Sequence, residues 1–157
     1  MLGLYIHIPF CVRKCRYCDF LSAPACDSER EAYLKSLHGQ IKAIGERLRQ
    51  KKSGKHYIVD SIFIGGGTPS LLSSDQMQAL MDVVRESFYV ADDAEITAEC
   101  NPGTVTRKKF CAYKRAGINR LSIGLQSADN EELALLGRIH TWEEFLDTFK
   151  AARNACF

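Results

Sequence analysis

The 157-residue sequence has no apolar run that approaches the ~20 residues a membrane-spanning helix needs. It also has no basic segment or small-residue cleavage site before its first strand-like stretch, LGLYIHI, so no signal peptide is predicted. The net charge is only +2, which does not favour nucleic acid or a membrane surface as an obligatory partner. Its one local basic run, at Lys51, Lys52 and Lys55, is interpreted as a solvated turn. These absences predict a cytoplasmic protein without an obligatory membrane segment.

A second C-x2-C pair is also missing, although seven cysteines are present. Thiols stay reduced in the cytoplasm, so ligands or core residues are expected rather than disulfides. In CVRKCRYC, Cys11, Cys15 and Cys18 follow a C-x3-C-x2-C spacing. A structural zinc site needs four ligands, usually from two such pairs, and a redox pair at a helix start would leave Cys11 without a role. We expect the remaining four to be structural: Cys26, Cys100, Cys111 and Cys156.

Four short apolar runs, rich in β-branched residues, have the length of strands: residues 4–8, 59–64, 95–100 and 120–125. A helical pattern follows each run. Helix starts are expected at Ser28 (with Glu31), Ser73 (with Gln76), Thr106, Ser127 and Thr141 (with Glu144). Repeated β-α units predict an α/β fold whose parallel strands are joined by right-handed crossovers.

The last two strands alternate apolar and polar residues. In EITAEC, one face holds Ile96, Ala98 and Cys100, and the other holds Glu95, Thr97 and Glu99. A doubly wound sheet is covered by helices on both faces and should be apolar on both. A single polar face instead predicts a curved sheet with helices outside and a ligand-holding concavity inside. Four β-α units cannot close a barrel, so residues 1–157 are expected to form one domain that is incomplete at its C-terminal end.

Three thiolates suit an iron–sulfur cluster, because a [4Fe–4S] cube normally has one thiolate per iron and three leave one iron open. CVRKCRYC resembles the signature of the radical S-adenosylmethionine (SAM) superfamily, which lies on the loop after the first strand. The resemblance implies a partial (β/α)6 barrel, of which these would be the first four units. It also implies a [4Fe–4S] cluster on Cys11, Cys15 and Cys18, with SAM on the open iron. In that family SAM is cleaved reductively to a 5′-deoxyadenosyl radical, while the protein orients the cofactor chemistry. The alternative is three incidental loop cysteines.

The stretch IFIGGGTPS follows the second strand. It lacks the GK[ST] of a phosphate loop, and Ser70 replaces the third glycine of a dinucleotide fingerprint. Its glycines allow close backbone approach to a ligand, or only a tight turn. By the family resemblance, the SAM contacts are Tyr5, Tyr17, Gly66, Gly67, Thr68, Glu99, Gln126 and Arg138. Tyr5 could equally be a barrel-interior aromatic, and Glu99 could pair with a barrel lysine or arginine. No side chain is assigned a catalytic role.

The order of ECNPG, SIGLQS and LGRIHT resembles the branch of oxygen-independent coproporphyrinogen III oxidases, over essentially the whole chain. Those dehydrogenases carry a further cysteine where this sequence has Phe20. The segments HIPFCVRKCRYCDF, GGGTPSLL and SIGLQSADNEELALLGRIHT are most similar to the HemW family of haem chaperones. This resemblance implies haem, a haem-accepting protein and an electron donor as partners, and it argues against dehydrogenase activity. Oxidative decarboxylation of coproporphyrinogen III and a zinc-binding interaction module remain the alternatives.

Overall fold

A computed structural model describes residues 1–50 and 57–157 of the chain. Strands and helices follow in the order β1 (Leu2–Ile8), α1 (Asp27–Gln50), β2 (Ile58–Gly66), α2 (Ser74–Ser87), β3 (Tyr89–Cys100), α3 (Arg107–Arg115), β4 (Arg120–Ile123), α4 (Asn130–Leu135) and α5 (Trp142–Arg153). A short 3-10 turn, Pro69–Leu71, lies between β2 and α2. The predicted α/β class is confirmed. The basic run at Lys51, Lys52 and Lys55 lies outside the described residues.

The four strands form one parallel sheet in the order β1-β2-β3-β4. The register places Tyr5, Phe63, Thr97 and Arg120 side by side. The next row, on the opposite face, is Ile6, Ile64, Ala98 and Leu121. Because neighbouring residues of paired strands share a face, the sheet has one polar and one apolar side. Because the four strands are parallel, their carboxyl ends all lie at the same edge of the sheet.

The apolar face carries the core. Ile8, Ile62, Ile64 and Ala98 of the sheet are at most 1% exposed and pack in one cluster with buried residues of α1, α2 and α3. A second cluster joins Cys100 to α3 and α5. These four helices therefore cover the same face of the sheet, as expected for helices outside a curved sheet.

The opposite face is largely open to solvent. Tyr5 is 60% exposed, and Ser61 and Glu95 are also exposed. Thr97 differs from its open-face neighbours, since it is 1% exposed and its hydroxyl accepts a hydrogen bond from Arg120 at 3.3 Å. Arg120 also lies 3.8 Å from Glu95, so a polar cluster covers this threonine.

Capping residues set three of the helix starts as predicted. Full capping boxes form at Ser73 with Gln76 and at Thr141 with Glu144. The Thr106 side chain accepts the amide hydrogen of Lys109 at the start of α3. Each interaction satisfies an amide that the first turn of the helix leaves without a partner.

The predicted starts at Ser28 and Ser127 are wrong. Helix α1 begins at Asp27, and it is Glu29 that accepts the amide hydrogen of Cys26, at 2.8 Å. Helix α4 begins after Asp129, whose carboxylate accepts two amide hydrogens of the first turn. At α4 the Asp129 carboxylate caps the first turn, whereas at α1 the Glu29 carboxylate bonds the amide of the residue that precedes the helix.

Strand β4 ends at Ile123, two residues before the predicted end. The chain turns there: the Leu125 amide donates to the carbonyl of Ile123 at 3.0 Å, and Gln126 has a φ of +73°. Positive φ is unusual for a residue other than glycine and marks a sharp local turn. Within residues 1–50 and 57–157, every helix falls short of the length and apolarity required to cross a membrane.

Candidate functional site

A cavity of about 270 Å³ opens at the edge where the four strands end. Its lining includes ten of the predicted site residues: Cys11, Cys15, Tyr17, Cys18, Gly66, Gly67, Thr68, Glu99, Gln126 and Arg138. The carboxyl ends of parallel strands and the loops that follow them meet at one edge of the sheet, so residues distant in sequence converge there. The lining also includes Phe20, Asn101 and Ser122, which the sequence did not assign as ligand contacts.

Tyr5 lies outside this lining, on the polar face of β1. Its ring stacks on Phe63, with centroids 6.2 Å apart. Its hydroxyl donates to His7 Nδ1 at 3.1 Å, because His7 Nε2 must donate to the carbonyl of Leu21 at 2.9 Å. Burial raises the pKa of Tyr5, and the nearby Glu99 carboxylate raises it further. Tyr5 is thus near Glu99, which lines the cavity, although Tyr5 itself does not line it.

The loop after β1 that carries Cys11, Cys15 and Cys18, called the cysteine loop, is held by hydrogen bonds on two sides. The Cys11 amide donates to the Ala23 carbonyl at 3.1 Å, which closes the loop on itself. The Arg16 amide donates to the Leu136 carbonyl at 3.0 Å, and the Arg13 guanidinium donates to the Gly137 carbonyl at 3.0 Å. The loop after β1 is therefore attached to the end of α4, more than a hundred residues away.

The glycine stretch passes so close to this loop that side chains are excluded. A Cβ at Gly67 would lie 2.6 Å from the carbonyl oxygen of Phe10, and one at Gly66 would lie 2.7 Å from the His7 ring. Gly66 also has a φ of +118°, which side-chain-bearing residues rarely adopt. The sequence left open whether this stretch is a tight turn or a close approach to a ligand. The geometry requires both glycines for the turn, and both still face the cavity.

Glu99 projects into the cavity from the end of β3 and is half-buried. Its carboxylate accepts the Gly66 amide hydrogen at 3.0 Å. Among the described residues it forms no ion pair with a lysine or arginine, whereas Glu95, on the same strand, lies near Arg120. One carboxylate oxygen therefore braces the glycine stretch, and the other is left to meet a ligand.

Arg138 reaches the cysteine loop from the segment after α4. Its Nη1 lies 3.5 Å from both Cys15 Sγ and the Tyr17 hydroxyl, and Nη2 donates to the Gly124 carbonyl at 3.0 Å. The third nitrogen, Nε, is buried without a hydrogen-bond partner among the described residues. A buried donor without a partner costs free energy, so the other two guanidinium nitrogens, and not Nε, account for the position of Arg138.

Tyr17, Gln126 and Phe20 surround the opening of the cavity. Burial raises the pKa of Tyr17, while the Arg138 guanidinium acts in the opposite direction. Gln126 is exposed, and its positive φ follows the turn that ends β4. Phe20 is 66% exposed and lines the cavity with its aromatic ring.

Asn101, which lies directly after β3, is a residue of the site that was not predicted from the sequence. Its side-chain amide donates to the Thr68 hydroxyl at 2.9 Å and accepts from Arg138 Nη2 at 2.9 Å. Its position two residues beyond Glu99 was the available signal, because a polar residue at a parallel strand's carboxyl end falls at the ligand edge of the sheet.

The other cysteines lie in different surroundings. Cys100 is 2% exposed and packs in the core, as expected, and desolvation raises the pKa of its thiol to about 12. Cys111 is partly buried against the same cluster, and Cys26 and Cys156 are exposed.

The residues of this cavity fit the cluster and SAM that the family resemblance implies. Three thiols line it, Gly66 and Gly67 leave backbone where a Cβ would clash, and the Arg138 side chain brings a positive charge to it. Over residues 1–50 and 57–157, no three His, Cys, Asp or Glu side chains converge closely enough to hold a single metal ion. A [4Fe–4S] cube does not require that convergence, because each thiolate binds a different iron, whereas a lone zinc ion does.

Comparison with known proteins connects this geometry to one superfamily. The sequence model described as "Radical SAM superfamily" matches residues 5–157. The chain is 49% identical over 144 residues to "Heme chaperone HemW" of Escherichia coli (strain K12), covering 91% of this chain and 36% of that protein. It is 43% identical over 148 residues to the HemW of Haemophilus influenzae (strain ATCC 51907 / DSM 11121 / KW20 / Rd), covering 91% of this chain and 37% of that protein.

A solved structure described as "Coproporphyrinogen III oxidase (HemN) from Escherichia coli is a Radical SAM enzyme" superposes with a TM-score of 0.85 and 30% identity. The match covers 97% of this chain and 34% of that one. The predicted barrel-type arrangement, with helices outside a parallel sheet, is thereby confirmed. The chain spans about a third of the length of the relatives it matches.

Proposed function

The chain belongs to the radical SAM superfamily, a membership that implies a [4Fe–4S] cluster and SAM, and from this premise we propose that residues 1–157 form the cofactor-binding core of a HemW-type haem chaperone. The observation that carries the proposal is that the three cysteines Cys11, Cys15 and Cys18 line the same cavity as Gly66 and Gly67. The identity of 49% to a protein named heme chaperone supports the choice of branch.

In this proposal Cys11, Cys15 and Cys18 would hold the [4Fe–4S] cluster, and three thiolates would leave one of its irons without a protein ligand, available to SAM. When bound, the cluster would supply the electron for reductive cleavage of SAM. Gly66, Gly67 and Thr68 would present backbone groups to the methionine part of SAM, since no side chain blocks the glycine backbone. Partners follow from this chemistry: a one-electron donor, haem and a haem-accepting protein.

Different polar side chains of the cavity would contact the remaining groups of SAM. Glu99 has a carboxylate oxygen for an amine or ribose hydroxyl, and Arg138 would bring a guanidinium charge to a carboxylate. Tyr17 offers a ring face beside the adenine, and Gln126 offers a side-chain amide at the opening. Tyr5 lies behind these residues and contributes indirectly, through its hydrogen bond to His7 and its proximity to the Glu99 carboxylate.

The first experiment measures the cluster. The full-length protein, reconstituted under anaerobic conditions, should carry about four irons and four sulfides per chain. Alanine at Cys11, Cys15 or Cys18 should abolish this loading. The matched controls are alanine at Cys26, Cys111 or Cys156, which lie outside the cavity and should leave it unchanged. Zinc as the only bound metal would instead support a zinc-binding interaction module.

SAM binding is measured on the loaded protein by the EPR spectrum of the reduced cluster. Saturating SAM should change the spectrum, and Glu99→Ala should weaken the effect because an acceptor is lost. Serine at Thr141, a helix cap outside the cavity, serves as a control that should bind SAM normally. An unchanged spectrum at saturating SAM would refute the site assignment.

A second candidate function, oxidative decarboxylation of coproporphyrinogen III, is favoured by the TM-score of 0.85 to an oxidase of that substrate. Phe20 argues against it, because its ring lines the cavity where the dehydrogenases carry a cysteine. The full-length protein should therefore bind haem in an absorbance titration and show no porphyrinogen turnover with SAM and a reductant. Robust turnover would establish the second candidate, and absence of both turnover and haem binding would refute the chaperone assignment.

A further inference from the structure

Asn101 has an orientation that its neighbours determine. Arg138 can only donate hydrogen bonds, so the contact of 2.9 Å from its Nη2 must be made to the Asn101 side-chain oxygen. The Asn101 Nδ2 group then faces the Thr68 hydroxyl oxygen at 2.9 Å and donates to it. The amide therefore accepts from one side of the cavity and donates to the other.

This orientation fixes the direction of the Thr68 hydroxyl. Because its oxygen already accepts from Asn101, its proton is free to point to Cys11 Sγ, 3.5 Å away. Thr68 is 3% exposed, so water does not compete for that proton. On the other side, Asn101 holds the Arg138 guanidinium where Nη1 lies 3.5 Å from Cys15 Sγ. One asparagine thus links the donors of two cysteine sulfurs.

The backbone of Asn101 is anchored from behind. Its amide donates to the Ser70 hydroxyl at 3.1 Å, and its carbonyl accepts from the Thr104 hydroxyl at 2.6 Å. Lys109 donates to the Ser70 carbonyl at 2.6 Å and joins α3 to the same frame. The asparagine is therefore held by the loop after β2 and by the loop after β3, and its side chain has little freedom to turn away.

We propose that Asn101 is a positioning residue that holds one hydrogen-bond donor on the Cys11 sulfur and one on the Cys15 sulfur, and thereby raises the reduction potential of the cluster. The inference rests on the proposed function, since it requires the cluster on these cysteines. Hydrogen bonds to cluster sulfurs tune the reduction potential. Reduction adds one electron, taken from a one-electron donor, and the added negative charge is stabilised by donors that face the thiolates.

The test is a redox titration of the reconstituted full-length protein with dithionite, monitored by EPR. Asn101→Ala and Thr68→Val should each lower the ratio of reduced to oxidised cluster at a fixed poise about tenfold, the effect of losing one hydrogen bond to a charged group. The matched control is Asn130→Ala, which also removes an amide with two hydrogen bonds but lies outside the cavity. It should titrate as the wild type does.

Iron content separates the possible failures. A wild-type protein without about four irons per chain would overturn the proposed function and this inference with it. A loaded wild type, with Asn101→Ala and Thr68→Val both titrating like Asn130→Ala, would overturn the inference alone. If Asn101→Ala loses iron, Thr68→Val decides, because valine keeps the shape of threonine and removes only the hydroxyl. A wild-type ratio in Thr68→Val would then refute the role of the donor on Cys11.

Discussion

Replacing Gly67 by alanine tests how closely the glycine stretch and the cysteine loop are packed. The added Cβ would lie 2.6 Å from the carbonyl oxygen of Phe10 and 3.0 Å from its backbone carbonyl carbon and nitrogen. All three are backbone atoms, so no flexible side chain can move aside. The φ of Gly67 is not positive, so alanine adds a steric clash without adding backbone strain.

The magnitude follows from the clash. Forcing one extra carbon into a closely packed contact typically costs about 1–3 kcal/mol. Phe10 is 6% exposed and immediately precedes Cys11, so relief of the clash must also displace the cysteine loop. We therefore expect Gly67→Ala to lower the free energy of unfolding by about 1–3 kcal/mol and to weaken SAM binding as well.

Urea denaturation of the metal-free full-length protein measures the first effect. Gly39→Ala is the matched control, because Gly39 is exposed in α1 and its added Cβ would have no atom within 4 Å. Alanine in the interior of a helix should raise stability by about 0.5–1 kcal/mol. If Gly67→Ala unfolds at the same urea concentration as the wild type while Gly39→Ala gains stability, the close approach of the two loops is refuted.

Three further changes test the fold. Asn119→Ala should lower the free energy of unfolding by about 1–3 kcal/mol, because the Ile96 amide and the Ala94 carbonyl lose partners at 2.8 and 2.7 Å; wild-type urea stability would contradict this. Thr141→Ala should cost about 1 kcal/mol through the lost cap of α5, seen as reduced urea stability, and Thr141→Ser should restore it. The pKa of the Cys100 thiol rises from 9.0 to about 12, so the unfolded state loses this proton first. Its contribution to stability is complete below pH 9 and is lost as the pH rises toward 12. As the pH rises above 9, the free energy of unfolding should therefore fall less in Cys100→Ala than in the wild type. Identical pH profiles for the two proteins would refute the raised pKa.

Several features could be predicted from the sequence because they depend on near neighbours. The capping boxes of α2 and α5 join residues that are three positions apart, and the strands β1, β2 and β3 are recognisable from short apolar runs. Where two cap candidates were close together, the sequence was less decisive. At the start of α1 the hydrogen bond forms between Cys26 and Glu29, where Ser28 was expected to cap. At the start of α4 the cap is Asp129, where Ser127 was expected. A hydroxyl and a carboxylate both cap helices, so the local sequence offered more than one start within a few residues.

The sequence by itself determined the parallel α/β order, the C-x3-C-x2-C spacing of the cysteines and the polarity of the strand ends. The tertiary structure decided which of those polar groups meet. Thr68 reaches Cys11 across 57 positions of sequence, and Arg138 reaches Cys15 across 123. The parallel register and the attachment of the cysteine loop to α4 set these distances, and neither follows from a local pattern. For the same reason Tyr5 lies outside the cavity lining, while Asn101, with no distinctive spacing of its own, joins its two sides.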